Sequence, residues 1–171
     1  MKYSPKKTDK AASIAYVGAL VASLICFSIN SSGYFRTVLF SIGLILMATG
    51  IYLFVKYSCT CYEYILMERN GTLDFYINKI VGRRGAYVVY YPLTDCVKAG
   101  KYTDDMRERL KGELKDLRVS SYVQNFISAK NKYYLVFENK DGYYDAVIFE
   151  PSEEMVTAIE NQIERQNEAQ A

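Results

Sequence analysis

Between Ala11 and Val55 the chain carries one charged residue, Arg36, whereas the other 126 of its 171 residues hold 39 of its forty charges. Ala11 to Asn30 (AASIAYVGALVASLICFSIN) and Thr37 to Val55 (TVLFSIGLILMATGIYLFV) contain no charge at all. A bilayer core about 30 Å thick takes roughly 20 helical residues, because in hydrocarbon every backbone N–H and C=O must be satisfied inside the segment. Both stretches meet that length. The sequence between them, Asn30 to Arg36 (NSSGYFR), has a tight-turn composition, so the two spans are antiparallel. A plain soluble globule is excluded, although the net charge of +2 and the 50% apolar content would suit one.

A cleaved signal peptide is the first rival for Ala11 to Asn30, since Lys2, Lys6, Lys7 and Lys10 form a basic leader. The apolar run exceeds the roughly 7–15 residues of a signal core, and no small-x-small cleavage site closes it. Two buried helices of a soluble protein are the second rival, and they fail because neither segment has a polar face. Four lysines precede the first span, Arg36 alone lies in the turn, and Lys56 and Arg69 follow the second. By the positive-inside rule both termini are expected in the cytoplasm of a multi-pass protein of the cell membrane. Tyr34, Phe35, Tyr52 and Tyr57 fall at the interfaces, where amphipathic rings prefer to sit. Ala15, Gly18, Ala19 and Ala22 line one side of the first span and are the expected contact with the second, or with another subunit.

The expected organisation is a basic cytoplasmic leader at 1–10 and a membrane region at 11–57, with helices at about 11–30 and 35–56 and a short external turn. A cytoplasmic domain over 58–167 and a frayed tail at 168–171 complete it. In that domain Tyr62 to Arg69 and Thr72 to Val81 are β-rich and meet at Asn70-Gly71, a strong hairpin signal. Leu73, Phe75 and Ile77 alternate with Asp74, Tyr76 and Asn78, the period of a half-buried strand. Ala86 to Tyr91 and a short run at Thr94 to Lys98 are the next strands, with Pro92 marking the break. Ala99 to Leu117 is charge-dense, and Met106, Leu110 and Leu114 recur four apart, which suggests a short exposed helix or an ordered excursion. Val119 to Ile127, Lys132 to Glu138 and Tyr143 to Phe149 are the last three strands, the final pair turning at Asp141-Gly142. From Pro151 to about Asn167, Met155, Val156, Ile159 and Ile163 form the stripe of a closing amphipathic helix.

Four strands, an interruption, three strands and a terminal helix resemble the pleckstrin-homology (PH) fold. More specifically, the two spans followed by YEYILMERNGTLDFYINKIVGRR, and the ending YYLVFENKDGYYDAVIFEPSEEMVTAI, are similar to bacterial two-span membrane proteins with a cytoplasmic PH-like domain. The fold this resemblance implies is a membrane α-helical hairpin plus a mainly-β domain, a seven-stranded partly open barrel of two near-orthogonal antiparallel sheets capped by the C-terminal helix. It implies architecture rather than a reaction.

Chemistry-bearing residues are few. There is no His, the most common general acid/base and metal ligand, and no Gly-rich phosphate loop or nucleophile elbow, so no enzymatic activity, catalytic residue or cofactor is expected. Cys59 and Cys61 would face the same side of a strand too close for an unstrained bridge, and with Cys26 and Cys96 they lack metal-site spacing. Reduced thiols and no metal are the expectation. Arg83 and Arg84 in a glycine-flanked turn, with Lys79, Lys98 and Lys101, are the candidate contact for anionic lipid headgroups; a solvated turn obeying the positive-inside bias is the alternative.

Lys56 to Lys101 holds seven basic against four acidic residues, and Glu138 to Ala171 two against nine, a gradient that would turn the early strands toward an anionic leaflet. Nucleic acid does not suit a soluble part of net negative charge. Tyr90-Tyr91, Tyr133-Tyr134 and Tyr143-Tyr144 should each place one ring inward and one outward, the outward rings offering a protein-binding face. The expected role is that of a non-enzymatic membrane-anchored scaffold that meets the bilayer, a membrane or cytoplasmic protein, and possible further copies of itself; a headgroup sensor is the alternative.

Overall fold

The computed structural model describes residues 1–7, 10–29, 32–69, 71–125, 131–139 and 141–170. The chain forms two compact units, one helical and built on Lys7–Thr60, the other β-rich and built from Met1–Lys6, Cys61–Gln124 and the described residues after 130.

The helical unit is an antiparallel pair, α1 (Lys10–Ser28) and α2 (Tyr34–Phe54), the second continued by a π-helical turn at Val55–Cys59. With mean hydropathies of 2.0 and 2.4, both are long and apolar enough to cross a membrane by length and composition. Ile14, Val17, Leu24, Ile45 and Ile51 are exposed, whereas the Phe40 ring of α2 lies 5.2 Å from that of Phe27 on α1, centroid to centroid. The contact between the helices is made differently from the expectation. Of the small-residue stripe Ala15 and Gly18 are exposed and Ala19 and Ala22 half-buried, while the glycines of α2 admit large residues of α1. A Cβ at Gly50 would stand 2.9 Å from Leu20 Cγ, and one at Gly43 would stand 2.6 Å from Phe27 Cε1. The Ser23, Ser28 and Ser41 hydroxyls donate to the carbonyl oxygens of Leu20, Leu24 and Thr37, so they are satisfied within their own helices.

The β-rich unit has two four-stranded sheets. The first runs in the order β1 (Lys2–Tyr3), β2 (Thr60–Arg69), β3 (Thr72–Val81), β4 (Arg84–Pro92). The second runs β5 (Cys96–Lys101), β7 (Tyr133–Glu138), β8 (Tyr144–Phe149), β6 (Leu117–Ser121). Among the described residues, eight strands in two sheets replace the expected single seven-stranded barrel. The extra strand, β1, lies inside the stretch expected as a leader and is antiparallel to β2, with Tyr3 opposite Tyr64. Two residues are too few to show a period. The parallel pairing of β6 with β8 also departs from the expected all-antiparallel arrangement. It is possible because α3 (Asp104–Glu113) separates β5 from β6 and lets the chain return in the same direction.

Positive-φ glycines sit where the hairpins bend, Gly71 (φ 80) and Gly142 (φ 77), conformations that cost a side-chain-bearing residue about 1–2 kcal/mol. One core joins Tyr64, Leu66, Phe75 and Ile77 of the first sheet to Leu135, Phe137 and Phe149 of the second, closed by Met155 and Ile159 of α4 (Glu153–Gln170). On the other side of the second sheet Leu110 of α3 packs against Tyr134, Val136, Ala146 and Ile148. Both faces of β7 are therefore covered. This is why Tyr133 and Tyr134 are both buried, contrary to the expected alternation, whereas Tyr143 is exposed and Tyr144 half-buried. The tail expected to fray at 168–171 is helical as far as Gln170. Of the strand expected over Val119 to Ile127, Leu117–Ser121 is strand, and its last two residues lie outside the described ones.

Candidate functional site

The structure separates the five basic residues of the expected site into two groups. Lys79, Arg83 and Arg84 belong to the β3–β4 hairpin, whose turn bends at Gly82 (φ 62). Arg83 and Arg84 are exposed there beside an exposed Val81, and Lys79 stands opposite Ala86 in the ladder. Lys98 and Lys101 lie on β5 in the other sheet. Lys98 is held in an ion pair with Glu113 of α3, which is also the first cause of its raised pKa. Lys101 lines a groove of about 350 Å³ with Lys132, Glu153, Val156 and Glu160, among others, so both signs of charge meet there. Of the five, Lys79, Arg83 and Arg84 alone stay on one hairpin.

The same hairpin carries a ridge of tyrosines. The Tyr76 ring lies 4.8 Å from Tyr90 and 5.8 Å from Tyr87, centroid to centroid. Tyr87 and Tyr90 are exposed. The Tyr76 and Tyr90 hydroxyls both reach toward Oδ2 of the buried Asp74, at 3.4 and 3.5 Å. Along the sheet Asn78 donates to Glu63 at 3.0 Å, and Glu63 pairs with Lys2, also at 3.0 Å. The strand that precedes the helices is thereby tied by an ion pair to the strand that follows them.

A second feature lies between the sheets. Val88, Val89, Tyr90 and Tyr91 of β4 line one side of a cavity of about 300 Å³, and Asp145, Ala146 and Val147 of β8, with Ser120 of β6 and with Tyr122, line the rest. The Tyr91 hydroxyl donates to Asp145 Oδ2 at 2.9 Å, and its ring stacks on Phe137 at 4.3 Å. Burial, and then the bond to Asp145, push the Tyr91 hydroxyl up to about 12. Sequence reasoning did not single out Asp145. The available signal was an acid inside the otherwise apolar run YYDAVIF, but nothing in one strand shows which other strand faces it.

The four cysteines are free, and burial pushes the Cys96 thiol up to about 11, which leaves it protonated at neutral pH. Among the described residues no cluster of His, Cys, Asp and Glu could hold a metal ion.

One known family, described as a bacterial PH-like domain (DUF6106), matches residues 4–168. The chain belongs to this family. The matched range includes both apolar helices. No curated protein matches the chain, and no solved structure does.

Proposed function

We propose that this PH-like protein is a membrane-anchored, non-enzymatic interaction module whose domain and termini lie on the cytoplasmic side of the cell membrane. The observation that carries the reading is the interruption of one sheet by the helical pair. β1 precedes α1, β2 follows α2, and the two strands are neighbours. Two crossings return the chain to the side on which it started, as this pairing requires, and a cleaved first helix would take β1 with it. The exposed aliphatic surface of both helices suits lipid, and the lysine-rich approach to α1 suits the inner leaflet. The tyrosine ridge on the β3–β4 hairpin supplies rigid amphipathic rings of the kind enriched in protein interfaces.

The test has two arms. In a background with its native cysteines replaced, Ser32→Cys should react with a membrane-impermeant maleimide on intact cells, and a cysteine placed at position 171 should react only after permeabilisation. The full chain purified in mild detergent should carry a stoichiometric protein partner. External labelling of the tail overturns the topology, and recovery of a bare monomer overturns the scaffold role.

A second reading, sensing of anionic headgroups, is favoured by one observation, the exposed Arg83 and Arg84 flanking a turn with the exposed Val81. Replacing both arginines with alanine should weaken binding of the detergent-solubilised chain to immobilised phosphatidylglycerol vesicles, and unchanged binding rejects that reading.

A further inference from the structure

We propose that the seam between the two sheets is a strand-insertion site that takes an extended peptide segment bearing a basic residue. The proposal rests on the protein-binding reading above and gives it a place, the free edge of β4, and a ligand chemistry.

Among the described residues, β4 is the last strand of the first sheet, and β6 is the last of the second. Edge strands leave a row of N–H and C=O groups without a ladder partner, which an added strand satisfies. The cavity of about 300 Å³ runs along consecutive residues of β4, Val88 to Tyr91, with β8 and Ser120 of β6 beyond it. An inserted strand would therefore bridge two sheets instead of extending one. The length of the slot is set by β4 itself. The β3–β4 ladder shifts register between Ile77 and Asn78, so that Ile77 faces Val89, Asn78 faces Tyr87, and Val88 is the bulged residue between them. A bulge twists an edge away and ends regular pairing, which closes one end of the slot at Val88. At the other end Pro92 has no N–H to offer.

The charge preference comes from Asp145. Among the described residues that line the cavity it is the one with a charge, and it is half-buried. Its register partner Arg118 lies with the guanidinium 5.4 Å from the ring centroid of Tyr143, in a cation–π contact. A carboxylate in a partly enclosed groove favours a Lys or Arg side chain on the incoming strand and opposes a phosphate. The seam and the arginine turn of the same hairpin thus select opposite charges.

The experiment uses the full chain in mild detergent and a display library of random decapeptides as the probe. Peptides enriched over bare micelles should carry Lys or Arg, and should slow amide exchange at Val88 to Tyr91. N-methylation at alternate amides should cost them at least about tenfold in affinity, as loss of one or two main-chain bonds requires. Asp145→Asn should weaken them severalfold and Asp145→Glu should restore them. Ser120→Trp, which fills the groove from an exposed position, should abolish binding. The N-methyl series decides the question even if a protein variant folds poorly. Failure to enrich any peptide, indifference to N-methylation, or protection mapped to the groove of Lys101 and Glu160 overturns strand insertion. If a stoichiometric partner is still recovered with the Ser120→Trp chain, strand insertion fails while the scaffold reading stands; if no partner is recovered with the unaltered chain, the scaffold reading itself fails.

Discussion

The helical pair and the β-rich unit solve the burial of apolar side chains in opposite ways. In the pair, Ile14 is 72% exposed and Leu24 64%, and the tight contacts are made at glycine. In the sheets, Tyr64, Phe75, Leu135 and Phe149 are fully enclosed. A soluble unit takes its stability from removing apolar surface from water, whereas helices in hydrocarbon gain little from that and associate through close packing. The same residue type should therefore matter inside one unit and hardly at all on the outside of the other.

The sharpest break of this contrast is a truncation in each unit. Phe149→Ala should cost about 3–5 kcal/mol, because a central core ring is lost and a cavity remains. Leu24→Ala, made on the exposed face of α1, should leave the denaturation midpoint of the β-rich unit unchanged within about 0.5 kcal/mol. Chemical denaturation of the full chain in detergent, followed by near-ultraviolet signals from the tyrosines, measures both. Equal losses would mean that α1 is a core helix of a soluble fold. A charge reverses the order of sensitivity. Ile45→Arg should oppose membrane insertion of α2 by about 2.5–3.5 kcal/mol, read as loss of carbonate-resistant membrane association, without unfolding the sheets.

Gly50→Leu is the next effect in size. The side chain has no room beside Leu20, so overpacking of about 1–3 kcal/mol should separate the helices, seen as loss of crosslinking between cysteines placed on α1 and α2. Gly18→Leu, where a Cβ would meet nothing within 4 Å, is the matched control and should leave crosslinking intact.

The smallest expected effect is a pH dependence confined to the β-rich unit. Tyrosine ionises near 10 in the unfolded chain, while burial and the bond to Asp145 raise the Tyr91 hydroxyl to about 12 in the fold. The contribution of this group is whole below pH 10 and is lost as pH rises toward about 12, because the unfolded state releases its proton first. Burial raises the Tyr64 and Tyr133 hydroxyls as well, so they act with the same sign. Stability should fall over that window, and Tyr91→Phe should make the fall shallower. An unchanged slope would remove Tyr91 from the account.

What could be read from the sequence and what could not divide along the range of the interactions involved. Gly71 and Gly142 announced their hairpins, the alternation of Leu73, Phe75 and Ile77 announced β3, and the four-residue spacing of Met106 and Leu110 announced α3, because each is set by neighbours a few residues away. The candidate site was legible only at the β3–β4 turn, where Arg83 and Arg84 are adjacent. Lys98 and Lys101 looked like their companions until β5 proved to belong to the other sheet, where Glu113 engages Lys98. Tyr133 and Tyr134 misled for a related reason, since alternation assumes one wet face and α3 covers the face that would have been wet.

The sequence by itself determined the two-part character of this chain. Forty-five residues with a single charge stand apart from the charge-rich remainder, and the solvation of charge is a property of composition. Tertiary structure alone decided that Lys2 and Tyr3 complete a sheet begun sixty residues later, that Gly43 and Gly50 of α2 admit Phe27 and Leu20 of α1, and that Tyr91 meets Asp145 across a seam. Those pairings join residues far apart in the chain, and only the packing of the finished core fixes which distant strand edge lies opposite which.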